Sequence, residues 1–419
     1  MSDMPRGILN LILVFLLVLM FSTSSARAQA PDEEIAVLKA QVQGLLKRIE
    51  ALEQEQAKAK EMSVKQGEVK KAVPEEPAVV TSTMPVKGIK LGGKLEIRYQ
   101  DFEGEEGTFS LTNFEPNIVV DVNDNISMKG QLECTPTSVI ANEGWIQYKK
   151  PPVIQGALKA GRFRRKSFGL PQGDSDRVSL DYALLGRAFT GERQLGLEYT
   201  NSFKKMGLLG PVNLGIGVFN GADLGNRETG DNAKRQVLFL ADRAGDTSDT
   251  QQKEFSLRST IAPIKELQMG GSVSVGKLSS ADISTLNTYL GTSRTDDKKQ
   301  RFGADITYKF NNVPLELRGE YMHGKTSDLG IDVWYTMGIL KLLNKKLDLY
   351  ARYGQLNLDI GPTFNSYTWD LEQATLGAIW YFNKMNQIQI EYEFNGEDTK
   401  GAAGEVDNDI LRMEWQTLF

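Results

Sequence analysis

Seven cations lie between Gly161 and Gly196 of this 419-residue chain: Arg162, Arg164, Arg165, Lys166, Arg177, Arg187 and Arg193. Guanidinium and ammonium groups crowded on one segment can bind oxyanions, because their charge-assisted hydrogen bonds replace the water an anion gives up. Around an aqueous passage, such groups select anions. Asp174, Asp176, Asp181 and Glu192 lie in the same segment, so mutual cancellation is the competing reading. Catalysis has little to draw on. The chain holds one histidine, His323, and one cysteine, Cys134. A Ser/His or Asp/His pair would have to use His323, which closes the strand-like run Tyr321-Met322-His323, so a rim residue and no enzyme are expected. One Cys and one His supply neither a disulfide within the chain nor a zinc site, and no CxxCH is present to attach haem. No metal and no cofactor are expected. Cys134 reads as an inert wall residue. A net charge of −5 gives no basic face for nucleic acid.

The elements that must position these cations are strands. From about residue 88 the apolar pattern has period 2. Ile89, Leu91, Gly93, Leu95, Ile97 and Tyr99 share one face, opposite Lys90, Lys94, Glu96 and Arg98. Near the end, Ile388, Ile390, Tyr392 and Phe394 oppose Gln387, Gln389, Glu391 and Glu393. The last strand sets Leu411, Met413, Trp415, Thr417 and Phe419 against Arg412, Glu414 and Gln416. Strands in soluble sandwiches usually run about 5–6 residues, whereas these approach the ~10 that a tilted strand needs to cross a bilayer. Aromatic residues gather at strand ends (Tyr99, Tyr148, Tyr199, Tyr308, Trp380), where interfacial girdles belong. Past the first thirty residues no apolar run is long enough for a spanning helix, which leaves a closed barrel as the way to satisfy every backbone group in lipid.

Strand starts are expected near residues 88, 112, 126, 143, 155, 191, 210, 252, 266, 300, 313, 331, 346, 370, 385 and 408. The fold expected is an all-β, 16-stranded antiparallel transmembrane barrel with an aqueous lumen, or 18-stranded if a long loop hides a pair. Short links near 264, 311 and 344 read as periplasmic turns, and 220–251 and 278–299 as external loops. If Phe163 faces outward, Arg162 and Arg164 enter the lumen, which Lys94 and Arg98 also line.

Residues 1–30 read as a signal peptide, with Arg6, the apolar run Ile8 to Phe21 and a small-x-small site at Ala26-Arg27-Ala28 or Ala28-Gln29-Ala30. Residues 31–71 read as a periplasmic coiled-coil segment. Its seam is Ile35, Leu38, Val42, Leu45, Ile49 and Leu52, spaced by three and four, though one amphipathic helix would show the same stripe. Residues 72–87, with three prolines, read as an extended linker, and 88–419 as the barrel domain.

Several stretches carry a resemblance. Gly161-Arg162-Phe163-Arg164 leads into Phe168-Gly169-Leu170; Arg193-Gln194-Leu195-Gly196 and Gly217-Val218-Phe219-Asn220-Gly221 follow, and Gly377 to Asn383 reads Gly-Ala-Ile-Trp-Tyr-Phe-Asn. In these the chain resembles the phosphate-selective porins of the O and P type. It departs from them at Ser167, where that family has Pro, and at Pro171, where it has an acidic residue. The resemblance implies a loop folded into the pore, a homotrimer and a preference for small anionic solutes such as phosphate. An isolated Ile/Val-and-Leu seam would favour a dimer, so the barrels are expected to set the oligomer. It also implies an outer membrane of a Gram-negative cell, with lipid around the barrel, the stalk in the periplasm, and Trp415 and Phe419 in a terminal signal read by the barrel-assembly machinery. The rival reading is a barrel that scaffolds or sheathes a partner, such as a multihaem electron-transfer protein, or that tethers the outer membrane.

Overall fold

The computed structural model describes residues 86–419, apart from 152–154, 171–177, 191–192, 205, 222, 229–236, 244–251, 360–368 and 400–407. The expected signal peptide, the coiled-coil segment with its seam, and all of the linker but Val86 and Lys87 lie outside the described residues.

The first half of the barrel wall is β1 (Gly88–Phe102), β2 (Thr108–Asp121), β3 (Ile126–Cys134), β4 (Val139–Tyr148), β5 (Ala157–Arg164), β6 (Arg193–Phe203) and β7 (Val212–Asn220). It continues through β10 (Lys253–Ile264), β11 (Leu267–Lys277), β12 (Lys298–Lys309), β13 (Leu315–Thr326) and β14 (Leu329–Leu342). The last four are β15 (Leu347–Asp359), β16 (Trp369–Tyr381), β17 (Asn386–Thr399) and β18 (Ile410–Leu418). These sixteen strands pair antiparallel, each with its neighbour, and β1 closes on β18. Gly93 and Phe419 exchange backbone hydrogen bonds of 2.9 and 3.1 Å at the seam. The Phe419 ring stacks on Phe114 at 6.0 Å, over the face of Gly93, where any Cβ would meet it. Trp415 is exposed on the outer face beside Phe382.

Alternation sorts the side chains the reverse way to a soluble protein. Leu91 is 79 % exposed on the outside, while Glu391 and Glu393 on the inside are fully buried. A belt of Leu, Ile, Phe and Trp with no second sheet to cover it suits a hydrocarbon surround. The strand starts fall within four residues of those the period-2 pattern marks.

The two ends of the barrel differ. One end has short turns. There Asn123 Oδ1 accepts from the N–H groups of Asn125 and Ile126, and Asn383 Oδ1 accepts likewise from Met385 and Asn386. The expected links near 311 and 344 are at this end, and Leu343, Asn344 and Lys345 take positive φ to make the second. The other end carries the longer loops. The connection from β7 to β10 does contain an extra pair, β8 (Asp223–Glu228) and β9 (Val237–Arg243), but these form a separate two-stranded sheet, so the barrel stays at sixteen strands. The expected loop 278–299 contains a helix, α1 (Ser280–Leu290), started by a Ser279/Asp282 capping box. Leu278, Leu286 and Leu290 pack there with Leu224 and Leu329.

Candidate functional site: the inserted loop and the lumen

The connection from β5 to β6 folds back into the barrel. Its first limb follows the inner wall over β6 to β13. Arg165 ion-pairs with Glu254, and the amides of Lys166 and Ser167 donate to Glu198 Oε2 at 2.7 and 2.9 Å. Ser167 Oγ meets Ser256 Oγ at 2.6 Å, and the Leu170 amide donates to Glu320 Oε1 at 2.7 Å. The limb can lie this close because β7 presents glycine inward beneath it. A Cβ on Gly215 would sit 3.0 Å from Ser167 Cα, and one on Gly217 would strike Ser167 Oγ and the Phe219 ring.

The second limb is pinned to β15, β17 and β18. Gln389 Nε2 donates to the Val178 carbonyl at 2.8 Å, and the Leu180 amide donates to Glu391 Oε2 at 2.9 Å. Arg352 donates to Ser179 Oγ and the Asp181 carbonyl at 2.6 and 3.0 Å. Arg187 pairs with Asp181 at 2.9 Å and Glu393 at 3.2 Å, and Arg412 with Asp181, Glu391 and Glu393 at 3.2–3.5 Å. The limb ends in a single π-helical turn, Gly186–Thr190.

Between these anchors the loop buries apolar side chains inside the barrel. Phe168, Leu184, Leu185 and Phe189 join one cluster with Met322, Val333, Ile339 and Leu356 of the wall. Here β14 departs from alternation. Ile331, Val333, Tyr335, Met337 and Ile339 point inward while Trp334 and Leu340 keep the outer parity. The unbroken run Val333-Trp334-Tyr335-Thr336-Met337 was the available sequence signal for an occupied lumen, since a strand buried on both faces loses its polar face. From the loop end, Asp242 of β9 reaches in to pair with Lys299 at 3.2 Å and Arg301 at 3.0 Å, and Arg301 lies 4.7 Å over the Phe189 ring.

The expected cations can now be placed. Phe163 faces inward, which corrects the outward parity assigned to it. It pairs in register with buried Gln194, is 1 % exposed and meets Phe219 edge-on at 5.8 Å. The inward Phe219 ring of β7 gives it an apolar neighbour on that face. Arg162 therefore takes the outward parity, opposite Leu195 and Gly144, and donates to the Ala141 carbonyl at 3.0 Å. Arg164 lies 5.3 Å over the Tyr182 ring of the loop. Arg177 lies outside the described residues. Arg165 and Arg187 are loop anchors, and Arg193 pairs with Glu143 at 3.4 Å. Lys94 meets Glu96 at 2.9 Å and Glu115 at 3.7 Å, and Arg98 meets Glu414 at 2.6 Å. The anion-selecting cluster thus becomes, for five of its nine members, a set of ion pairs, because a charge buried against the wall needs a counter-charge. The lysine next in sequence to Arg165 is different: the Lys166 side chain is exposed and makes no ion pair among the described residues.

Near the turn end a cavity of about 490 Å³ opens between Val178 of the loop and the wall. Lys94, Lys129, Arg318 and Lys341 line it with Glu115 and Asp348, among glutamine amides. Two further residues face out. Cys134 is a free thiol opposite Phe114, and His323 Nδ1 lies 3.0 Å from Asp332 Oδ1, to which Tyr321 Oη donates at 2.6 Å. No protein-family model and no curated protein matches the chain. Solved structures do. The chain is similar in fold to the outer membrane channel DcaP of Acinetobacter baumannii (TM-score 0.55, 12% identity, 79% of this chain and 97% of that one). It is also similar to an anion-selective porin from Comamonas acidovorans (TM-score 0.54, 12% identity, 79% and 99%). A third is the trimer form of OmpT, an outer membrane protein of Vibrio cholerae (TM-score 0.53, 13% identity, 79% and 99%). At these identities the likeness is one of fold.

Proposed function

We propose that the chain is an outer-membrane porin, passing small polar solutes by diffusion through a lumen narrowed by the 165–192 loop. The observation that carries this reading is the loop itself. A closed sixteen-strand barrel with an apolar outer belt has a water-sized bore, and its own loop is anchored across that bore by buried ion pairs instead of lying over the mouth. The short-turn end faces the periplasm, where 31–71 forms a coiled-coil stalk, and the loop end faces outside. The terminal strand with Trp415 and Phe419 serves as the assembly signal, and the barrel works as a homotrimer, as the Vibrio protein does in its trimer form. Anions are preferred weakly, as most inward cations are paired; the Comamonas porin, described as anion-selective, has the same fold. A sheath around a protein partner is disfavoured, because the loop and its apolar cluster already occupy the space beside β13 to β16.

The test is planar-bilayer recording from the purified full-length protein in a KCl gradient. Discrete channels with a small anion-side reversal potential are expected. A cation-side potential would sink the anion preference, and absence of channels from a folded barrel would sink the porin reading.

A further inference from the structure

We propose that Lys159 and Lys166 form an oxyanion subsite on the inner wall of β4 to β6, suited to a small organic carboxylate. This rests on the porin reading and names a solute class for it. Lys166 apart, every other inward cation described above either pairs with a carboxylate or lies on an aromatic ring of the loop. Lys159 does neither. It faces inward, in register with Glu198 and Gln147, yet has no carboxylate within ion-pairing distance among the described residues.

The reason is that its neighbours are engaged elsewhere. Glu198 accepts the two loop amides of Lys166 and Ser167. Glu143 is shared by Lys129 at 2.8 Å, Arg193 at 3.4 Å and the Trp145 indole N–H at 3.3 Å. The Lys159 ammonium rests instead against the wall's own rings, 4.5 Å from the Trp145 centroid and 5.1 Å from Phe163. The loop brings a second lysine to the same place: the Lys166 amide is bonded to Glu198, the register partner of Lys159, and the Lys166 side chain is exposed beside it. Among the described residues the local balance is four cations, Lys129, Lys159, Lys166 and Arg193, against two carboxylates, Glu143 and Glu198.

Ring contact holds the Lys159 ammonium in place and leaves donors pointing away from the ring. The chemistry this recognises is a carboxylate head with an apolar body. The two ammonium groups take the head, and the half-buried Trp145 ring provides apolar surface for the body. Inorganic phosphate fits less well, because it is polar on every side and has no apolar body to lay on the Trp145 ring, where desolvation would cost it without return.

The test compares wild type, Lys159→Gln, Lys159→Arg and Lys166→Gln as full-length, detergent-purified barrels, with folding checked by heat-modifiable gel mobility. Benzoate and inorganic phosphate are titrated calorimetrically, then as blockers of bilayer current. Wild type should bind benzoate more tightly than phosphate. Loss of one charge-assisted contact should weaken benzoate binding about tenfold in either glutamine variant. Lys159→Arg should retain most of it. Unchanged benzoate affinity in folded Lys159→Gln and Lys166→Gln, or phosphate binding tighter than benzoate, overturns the proposal. Should Lys159→Gln fail to fold, Lys166→Gln decides, since its side chain is exposed on the loop. Because calorimetry needs no current, lysine-dependent benzoate binding without channels would leave the subsite standing and refute the porin reading.

Discussion

The sharpest test of the inserted loop is Phe189→Ala. Phe189 is 2 % exposed, lies in the apolar cluster between loop and wall, and carries the Arg301 guanidinium on its ring. Truncating a buried Phe costs about 3–5 kcal/mol, and the lost cation–π contact adds roughly 0.5–1 kcal/mol. Nearly all of this falls on loop docking, because the contacts removed run from loop to wall and the strand ladder keeps every hydrogen bond. A loss of about 4 kcal/mol lowers the docked-to-undocked ratio on the order of a thousandfold. Two readouts follow. Single-channel conductance should rise as the lumen clears, and trypsin should cut among Arg164, Arg165, Lys166 and Arg187. Cleavage reports the open population when opening is fast relative to cutting. Unchanged conductance together with unchanged trypsin resistance, in a barrel of normal heat-modifiability, would refute the account of what holds the loop.

Gly215→Val should give the same phenotype from the other limb, as its Cβ would sit within 3.2 Å of the Lys166 and Ser167 backbone. Conductance and trypsin cleavage check it, and a wild-type pattern would mean the limb is not seated on β7. Ser279→Ala removes the cap of α1, whose hydroxyl accepts the Asp282 amide at 3.0 Å. Hydrogen exchange in α1 should quicken by an amount matching about 0.5–2 kcal/mol, with conductance untouched.

Much of the barrel was legible in the sequence. Period-2 alternation is a local property, and in runs such as Ile89 to Tyr99 each residue's own hydropathy decides its face. Ten-residue runs separated by turn residues therefore marked the turn positions and narrowed the count to sixteen or eighteen, and the structure decided for sixteen by setting β8 and β9 apart as a separate sheet. The helix α1 was not legible, because its cap and apolar face are short and lie in a segment whose length already read as a loop. The parity of Phe163 was misread for a physical reason. An aromatic residue on an amphipathic strand defaults to the lipid side, and the inward Phe219 ring that Phe163 packs on belongs to β7, which no local pattern on β5 reveals. The inward ridge Ile331 to Ile339 packs with the inserted loop and could have been noticed as a strand with an apolar inner face.

By itself, then, the sequence determined the closed barrel, its direction of alternation, and the basic segment that holds Arg165, Lys166 and Arg187. What only the tertiary structure decided was the state of those charges. Arg165 finds Glu254 and Arg187 finds Glu393 across separations of 89 and 206 residues. No local pattern encodes such pairs, because they depend on barrel closure and on where the loop comes to rest. The same resting place engages Glu198 with backbone amides and so leaves Lys159 without an ion pair among the described residues. Charge type is written in the chain; charge balance is set by which carboxylates the fold leaves within reach.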